Sequence, residues 1–192
     1  MLIGLYSSAA QSGKSTVAAR LEKEHGFWRV SFARPLKDMV RGLLTSMMFD
    51  EDTVERMVEG DLKEAVIPGF ATVTPRHLMQ TLGTDWGREA VDGELWNKVA
   101  RAKIEKLMSL NANVVVDDVR FENEYWTIQN LQGAVVRVHR PSLQRVGSSR
   151  YEGLLDNFLM DSIISNDSTM AHLELAADAM FHQLARRVPR WA

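Results

Sequence analysis

The 192-residue sequence contains no cysteine, which excludes disulfide bonds and thiolate metal sites. No apolar run approaches the roughly 18 residues of a membrane-spanning helix. No basic segment precedes the apolar N-terminus, as it would in a signal peptide, so we predict a cytoplasmic protein without a membrane partner. The formal net charge is only −2 and gives no indication of a nucleic-acid partner.

The remaining composition is that of an ordinary globular domain, with 45% hydrophobic and 25% charged residues. Short apolar segments alternate with amphipathic, helix-like segments along the chain. We predict strands at residues 1–6, 28–32, 113–118, 134–139 and 161–167. This alternation predicts an α/β fold in which a parallel sheet carries helices on both faces.

Glycine, proline and capping residues predict where the helices begin and end. Gly26 should end the first helix, and Pro35 suits the first turn of the second. Thr74 should cap a further helix that Gly83 ends. The charged segment 50–69 predicts only a short helix, and the C-terminal helix places its apolar residues on one stripe.

The segment "SSAAQSGKST" lies between the first strand and the first helix. It ends like a phosphate-binding loop: Gly13 permits close backbone approach, Lys14 can reach outer phosphates, and Ser15 offers a hydroxyl to magnesium. Ser8 stands where the usual pattern has its first glycine. The alternative is a solvated turn in which Ser12 caps the helix, but the preceding strand and following helix favour a nucleotide site.

Several charged residues follow predicted strands or lie in the loops and helices beyond them. They are Arg34, Lys37, Arg76, Arg88, Asp117, Asp118, Arg120, Glu124, Arg140, Arg145 and Arg150. Any one arginine is as readily explained as a solvated or ion-paired surface residue. The two aspartates could orient magnesium or cap the next helix. Trp86 and Trp96 could stack on a base or belong to the core.

Four segments, "RHLMQTLGTDWGRE", "VVVDDVRFENE", "HRP" and "ISND", together resemble the bacteriophage deoxynucleoside monophosphate kinases. The resemblance implies a three-layer P-loop kinase fold in one domain, with a central parallel sheet, a helical acceptor-binding insertion and a mobile lid. The core would comprise about 1–34, 111–140 and 160–192, the insertion about 35–110, and the lid about 141–159. It also implies small-molecule substrates, allows a homodimer, and would place a phage-encoded protein in the host cytoplasm.

The resemblance also implies a role for individual residues. ATP would be bound by Ala10, Gln11, Ser12, Gly13, Lys14, Ser15, Thr16, Arg140 and Asn166, and Mg²⁺ by Ser15. The acceptor deoxynucleotide would contact Lys37, Arg76, Gly83, Thr84, Arg88, Trp96, Asp118, Arg120 and Glu124. Catalytic roles would fall on Lys14, Arg76, Asp118, Arg120 and Arg145, with Arg145 and Arg150 as lid arginines.

The sequence departs from the family pattern at Ser8, at the doubled acid Asp117, and in a shorter segment between Leu44 and Thr74. Two other functions therefore stay open at this point. One is another small-molecule P-loop kinase, such as a dephospho-coenzyme A kinase, which would share the ATP site and differ in the acceptor segment. The other is a P-loop ATPase or switch that has no second small ligand.

Overall fold

The fold is built on five parallel strands, and the computed structural model describes residues 1–143 and 153–186. The strands are β1 (Leu2–Tyr6), β2 (Phe27–Val30), β3 (Asn113–Val119), β4 (Ala134–His139) and β5 (Ser162–Ser165). They lie in the order β2-β3-β1-β4-β5, and every neighbouring pair is parallel. The predicted α/β class and central parallel sheet are confirmed.

Some helices pack on the sheet, and the others form a separate unit between β2 and β3 along the chain. They are α1 (Lys14–His25), α2 (Arg34–Ser46), α3 (Glu51–Val58), α4 (Pro75–Thr81), α5 (Leu95–Ser109), α6 (Glu122–Asn130) and α7 (Met170–Ala185). A 3₁₀-helix spans Asp61–Glu64, and a π-helix spans Leu82–Val91 directly after α4. Among the residues that the structure describes, no helix has both the length and the apolar character needed to cross a membrane.

The chain divides into two compact units, which we call the sheet unit and the helical unit. The sheet unit contains Met1–Phe32 and the chain from Ala100 onward. One face of its sheet packs against α1 and α7 through buried residues such as Leu21 and Ala177. The other face packs against the second part of α5 and against α6, so both faces are covered, as a buried parallel sheet requires.

The helical unit is Ala33–Val99 and has a core of its own. Six buried residues from α2, α3 and the following loop form that core: Val40, Leu44, Val54, Met57, Val58 and Ile67. This unit includes the segment 50–69, where the predicted short helix is α3.

Most of the predicted helix ends are confirmed. Gly26 follows α1 in the left-handed conformation, with φ 65°, and Thr74 caps α4 by accepting a hydrogen bond from the backbone N–H of His77. Pro35 lies in the first turn of α2. The predicted end at Gly83 is wrong, because the helical backbone continues through the π-helix to Val91. A predicted strand at 28–32 is shifted, since β2 pairs with β3 from Phe27 to Val30.

Candidate active site

The phosphate-loop sequence forms the connection between β1 and α1. Gly13 occupies the cap position of α1 with φ 104° and ψ 7°, a left-handed conformation that glycine adopts without strain. A side chain at this position would meet the Asn166 amide and the Leu173 side chain, each at 2.8 Å. The first backbone N–H groups of α1, starting at Lys14, have no acceptor within the helix and suit an anion.

Two side chains from neighbouring strands hold the loop. The Asn166 amide nitrogen donates to the carbonyl oxygen of Ser12 over 2.9 Å, and Arg140 Nη1 donates to the carbonyl oxygen of Gln11 over 3.2 Å. Arg140 follows β4 and Asn166 follows β5; β4 lies next to β1, and β5 lies next to β4. The carboxyl ends of parallel strands meet at one edge of the sheet, which brings these residues to the loop.

Ser12 lies inside the loop rather than at the helix cap. Its residue surface is 1% exposed, and its hydroxyl has no hydrogen-bond partner in the described part of the chain. A buried hydroxyl without a partner costs about 1–3 kcal/mol. The alternative in which Ser12 caps α1 is therefore wrong, since Gly13 is the cap residue and the Ser12 hydroxyl bonds to no described group. The cradle at Gly13 and this hydroxyl fit a bound phosphate chain.

Both acids near the end of β3 accept hydrogen bonds from β2 or from the chain that follows it. Asp117 Oδ2 accepts from Arg29 Nε over 2.9 Å. Asp118 accepts from Ser31 Oγ over 2.6 Å and from the backbone N–H of Phe32 over 2.9 Å. The pairing of β2 with β3 places these groups together, so Asp118 fixes the exit of β2 at the same edge as the phosphate loop.

Glu124 stabilises the turn that leads into α6. Its residue surface is 3% exposed, and Oε2 accepts hydrogen bonds from the backbone N–H groups of Arg120, at 2.8 Å, and Phe121, at 3.1 Å. The cap position of α6 is Phe121, so Glu124 accepts from the backbone N–H of the cap residue, as in a capping box. Arg120 itself is exposed.

Two of the predicted acceptor cations in the helical unit, Lys37 and Arg76, are ion-paired. Lys37 Nζ lies 2.9 Å from Glu59 Oε2, and Arg76 pairs with Glu64. Glu59 also accepts from Arg41 Nη2 over 3.1 Å. Burial raises the pKa of Glu59, but the bonds from Lys37 and Arg41 outweigh burial and hold that pKa below its ordinary value. Glu59 is not among the residues predicted from the sequence, although its place four residues before Lys63 is an i,i+4 charge signal.

Trp96 packs on the π-helix that contains Gly83 and Gly87. Its indole N–H donates to the carbonyl oxygen of Gly83 over 2.8 Å, and the residue surface is 4% exposed. A side chain at Gly87 would come within 2.6 Å of the indole ring. Of the two alternatives for Trp96, the structure supports a core residue.

A second feature of the helical unit is an apolar cavity of about 440 Å³. The side chains that line it are Met39, Val40, Leu43, Leu78, Thr81, Leu82, Asp85 and Trp86. Trp86 lines this cavity and is 43% exposed, so its indole ring is accessible to a ligand, whereas Trp96 is buried. Thr84 and Arg88 lie on the same π-helix. The predicted lid arginines Arg145 and Arg150 lie outside the described residues.

The fold is shared with a known kinase of small molecules. The chain is similar to the solved structure of a dephospho-CoA kinase from Campylobacter jejuni, with a TM-score of 0.53 and 17% sequence identity. The similarity covers 96% of this chain and 97% of that one. At this level of identity the comparison shows the P-loop kinase fold alone.

The sequence comparisons identify the family. A protein of Acanthamoeba polyphaga mimivirus that is named for deoxynucleotide monophosphate kinase activity is 33% identical over 152 residues. The match covers 74% of this chain and 76% of the viral protein. Residues 41–176 match the family of deoxynucleotide monophosphate kinases, and that range contains most of the helical unit, β3 and β4. A kinase of this family uses ATP and a nucleotide substrate. The chain belongs to the deoxynucleotide monophosphate kinase family of phosphotransferases.

Proposed function

We propose that this protein transfers the γ-phosphate of ATP to the phosphate of a deoxynucleoside monophosphate, giving ADP and a deoxynucleoside diphosphate. The observation that carries the proposal is the loop before α1, in which Gly13 is left-handed and Ser12 buries an unpartnered hydroxyl. Residues 10–16 would bind the ATP phosphates. Arg140 and Asn166 would support this site by holding the loop backbone.

The chemical step needs positioning and charge neutralisation more than covalent help. An acceptor phosphate oxygen forms a bond to the γ-phosphorus, while the bond from that phosphorus to the oxygen bridging to the β-phosphate breaks. The electron pair of the broken bond stays on ADP. The attacking oxygen is already anionic, so no strong general base is required. Lys14 would stabilise charge on the transferred group, and Arg145 is proposed to do the same.

Lys37 and Arg76 are proposed to bind the acceptor phosphate, which would replace carboxylate partners that they have in the structure. Gly83, Thr84 and Arg88 are proposed to shape the acceptor site from the π-helix, on which Trp96 packs. Asp118, Arg120 and Glu124 are proposed to support the acceptor sugar and base. The hydrogen bonds of Asp118 and Glu124 suggest that both act by fixing backbone near the site.

Mg²⁺ is proposed as the metal cofactor, with Ser15 offering its hydroxyl at the start of α1. When bound, the ion would neutralise part of the charge on the outer phosphates. In residues 1–143 and 153–186, no group of three or more His, Asp or Glu side chains could hold a metal ion. We further propose that the partners of this protein are small molecules only. We also propose that it forms a homodimer, and sedimentation analysis of the purified protein would test that oligomeric state.

A coupled assay of ADP release tests the proposed function. The assay would compare dGMP, dTMP, dCMP and dAMP with dephospho-coenzyme A as phosphate acceptors. We expect turnover that depends on at least one deoxynucleotide. Turnover with dephospho-coenzyme A alone would contradict the proposal, as would ATP hydrolysis that no acceptor accelerates.

The Lys14→Met variant tests the phosphate loop directly. Removing one preorganised charged donor should lower kcat by about 100-fold or more. Lys23→Met is the matched control, because Lys23 lies on the same helix with its side chain 79% exposed. A Lys14→Met protein with the wild-type rate would contradict the assignment of this loop.

A further inference from the structure

Lys63 lies beside the predicted acceptor cations but belongs to no motif in the sequence. It is part of the 3₁₀-helix Asp61–Glu64, and its side chain is 26% exposed. Its Nζ atom lies 3.8 Å from Glu59 Oε2, the same oxygen that Lys37 Nζ contacts at 2.9 Å. Two ammonium groups therefore converge on one carboxylate oxygen.

One carboxylate oxygen cannot satisfy the donors of both ammonium groups. Glu59 Oε1 is occupied by Arg41, which has further carboxylate partners in Asp38 and Glu55. Lys37 and Lys63 share the remaining oxygen of Glu59. The contact to Lys63 is longer than a hydrogen bond, so the donors of this ammonium group are poorly used by Glu59.

The surroundings of Lys63 include the second predicted acceptor cation. Burial lowers the pKa of Lys63, and the positive charges of Lys37 and Arg76 lower it further, while the negative charges of Glu59 and Glu64 act in the opposite direction. Arg76 is thus close enough to act on Lys63 through its charge. Glu59 and Glu64 offset part of the repulsion among these cations, and a bound dianion would offset more of it.

We propose that Lys63 is a third ligand of the acceptor phosphate, which binds between Lys37 and Lys63. This inference rests on the proposed function. A phosphate monoester carries about −1.5 to −2 charges at pH 7, so it can satisfy both ammonium groups where a single carboxylate cannot. Glu59 keeps its bond to Arg41 and gives up its long contact to Lys63 when the phosphate binds. In the absence of substrate, the same carboxylate holds the two lysines close together.

Isothermal titration of the four deoxynucleoside monophosphates and of the four deoxynucleosides tests the proposal. In Lys63→Met, Kd and KM for the accepted monophosphates should rise by about 10-fold or more, as for a lost hydrogen bond to a charged group. Binding of the unphosphorylated deoxynucleosides and KM for ATP should stay within about twofold of wild type, because neither involves this phosphate.

The matched control is Lys98→Met, which removes an exposed lysine of the same unit that is paired with Asp92. It should leave every constant unchanged. Lys63→Arg keeps the charge and should restore most of the monophosphate affinity. If Lys63→Met lowers the unfolding midpoint, Lys63→Gln replaces it as the variant without the charge. Its monophosphate affinity is then compared with that of Lys63→Arg, which keeps the charge.

The outcomes separate this inference from the function on which it rests. Equal monophosphate affinity in wild type and Lys63→Met overturns the role of Lys63 and leaves the kinase activity intact. Equal losses for monophosphates and deoxynucleosides also overturn it, since that pattern indicates a general structural defect. If Lys63→Met weakens monophosphate binding but the wild type transfers no phosphate, the role of Lys63 stands and the proposed reaction fails.

Discussion

The side-chain amide of Asn166 donates a hydrogen bond to the carbonyl oxygen of Ser12 over 2.9 Å, which ties the end of β5 to the phosphate loop. Asn166→Ala removes this donor and should lower the free energy of unfolding by about 0.5–1.5 kcal/mol. Because the loop backbone then loses a restraint, KM for ATP should rise severalfold while KM for the acceptor stays constant. Chemical denaturation and steady-state kinetics measure the two effects.

Asn166→Asp should weaken ATP binding more than Asn166→Ala, because a carboxylate cannot donate to a carbonyl and would repel phosphates. Gln183→Ala, on the exposed side of α7, is the control for loss of an amide. An unchanged KM for ATP in both Asn166 variants would show that this hydrogen bond does not set the shape of the loop.

Gly13 and Gly42 should respond to alanine with opposite sign. At Gly13, φ is 104° and a new Cβ atom would lie 2.8 Å from Asn166, so Gly13→Ala should destabilise the fold by about 1–3 kcal/mol and abolish ATP binding. At Gly42, inside α2, a Cβ atom meets nothing within 4 Å. Gly42→Ala should therefore stabilise by roughly 0.5–1 kcal/mol. Denaturant unfolding of both variants measures these changes in the free energy of unfolding. Equal changes for Gly13→Ala and Gly42→Ala would contradict the predicted difference.

Trp96 and Trp86 provide a second matched pair. Trp96→Phe keeps an aromatic ring but removes the N–H that binds the Gly83 carbonyl oxygen, so stability should fall by about 1–3 kcal/mol. Trp86 is 43% exposed, and Trp86→Phe should change stability by about 0.5 kcal/mol or less. Folded Trp96→Phe should keep KM for the acceptor close to that of wild type. A large rise in that KM without loss of stability would instead favour direct contact between Trp96 and the substrate.

The contact between α1 and α7 predicts a pH dependence of stability. The hydrogen bond from Arg20, with a further one from His25, lowers the pKa of Asp178 from 3.8 to about 2. A carboxyl with a depressed pKa in the folded state stabilises above its unfolded pKa, and this stabilisation is lost as pH falls through the folded value. Stability due to Asp178 should therefore decline between about pH 4 and pH 2.

Thermal unfolding at a series of pH values tests this dependence. The midpoint of the Asp178→Asn variant should fall less steeply than that of wild type across that window, and the two curves should run parallel at higher pH. Glu89→Gln, which changes an exposed acid on the π-helix, is the control and should follow wild type. Parallel curves for Asp178→Asn and wild type throughout would mean that the ion pair contributes nothing to acid stability.

Local sequence features predicted the elements of the sheet unit well. The apolar runs at β3 and β4 and the glycine after α1 each gave boundaries close to those observed. Their signals are short-range: a buried strand needs consecutive apolar residues, and a left-handed cap needs glycine. Prediction failed at Gly83, where the helical backbone continues and the carbonyl oxygen accepts from the Trp96 indole 13 residues away, a contact that no local signal reveals.

The sequence alone determined that a turn of small residues with Gly13, Lys14 and Ser15 lies between a strand and a helix, and its motifs indicated the kinase family. These features depend only on neighbours along the chain. Tertiary structure decided that Arg140 and Asn166 support that turn, since the strand order brings together residues more than a hundred positions apart. It also decided that Lys63 shares the Glu59 carboxylate with Lys37, because only the folded helical unit brings these charges together.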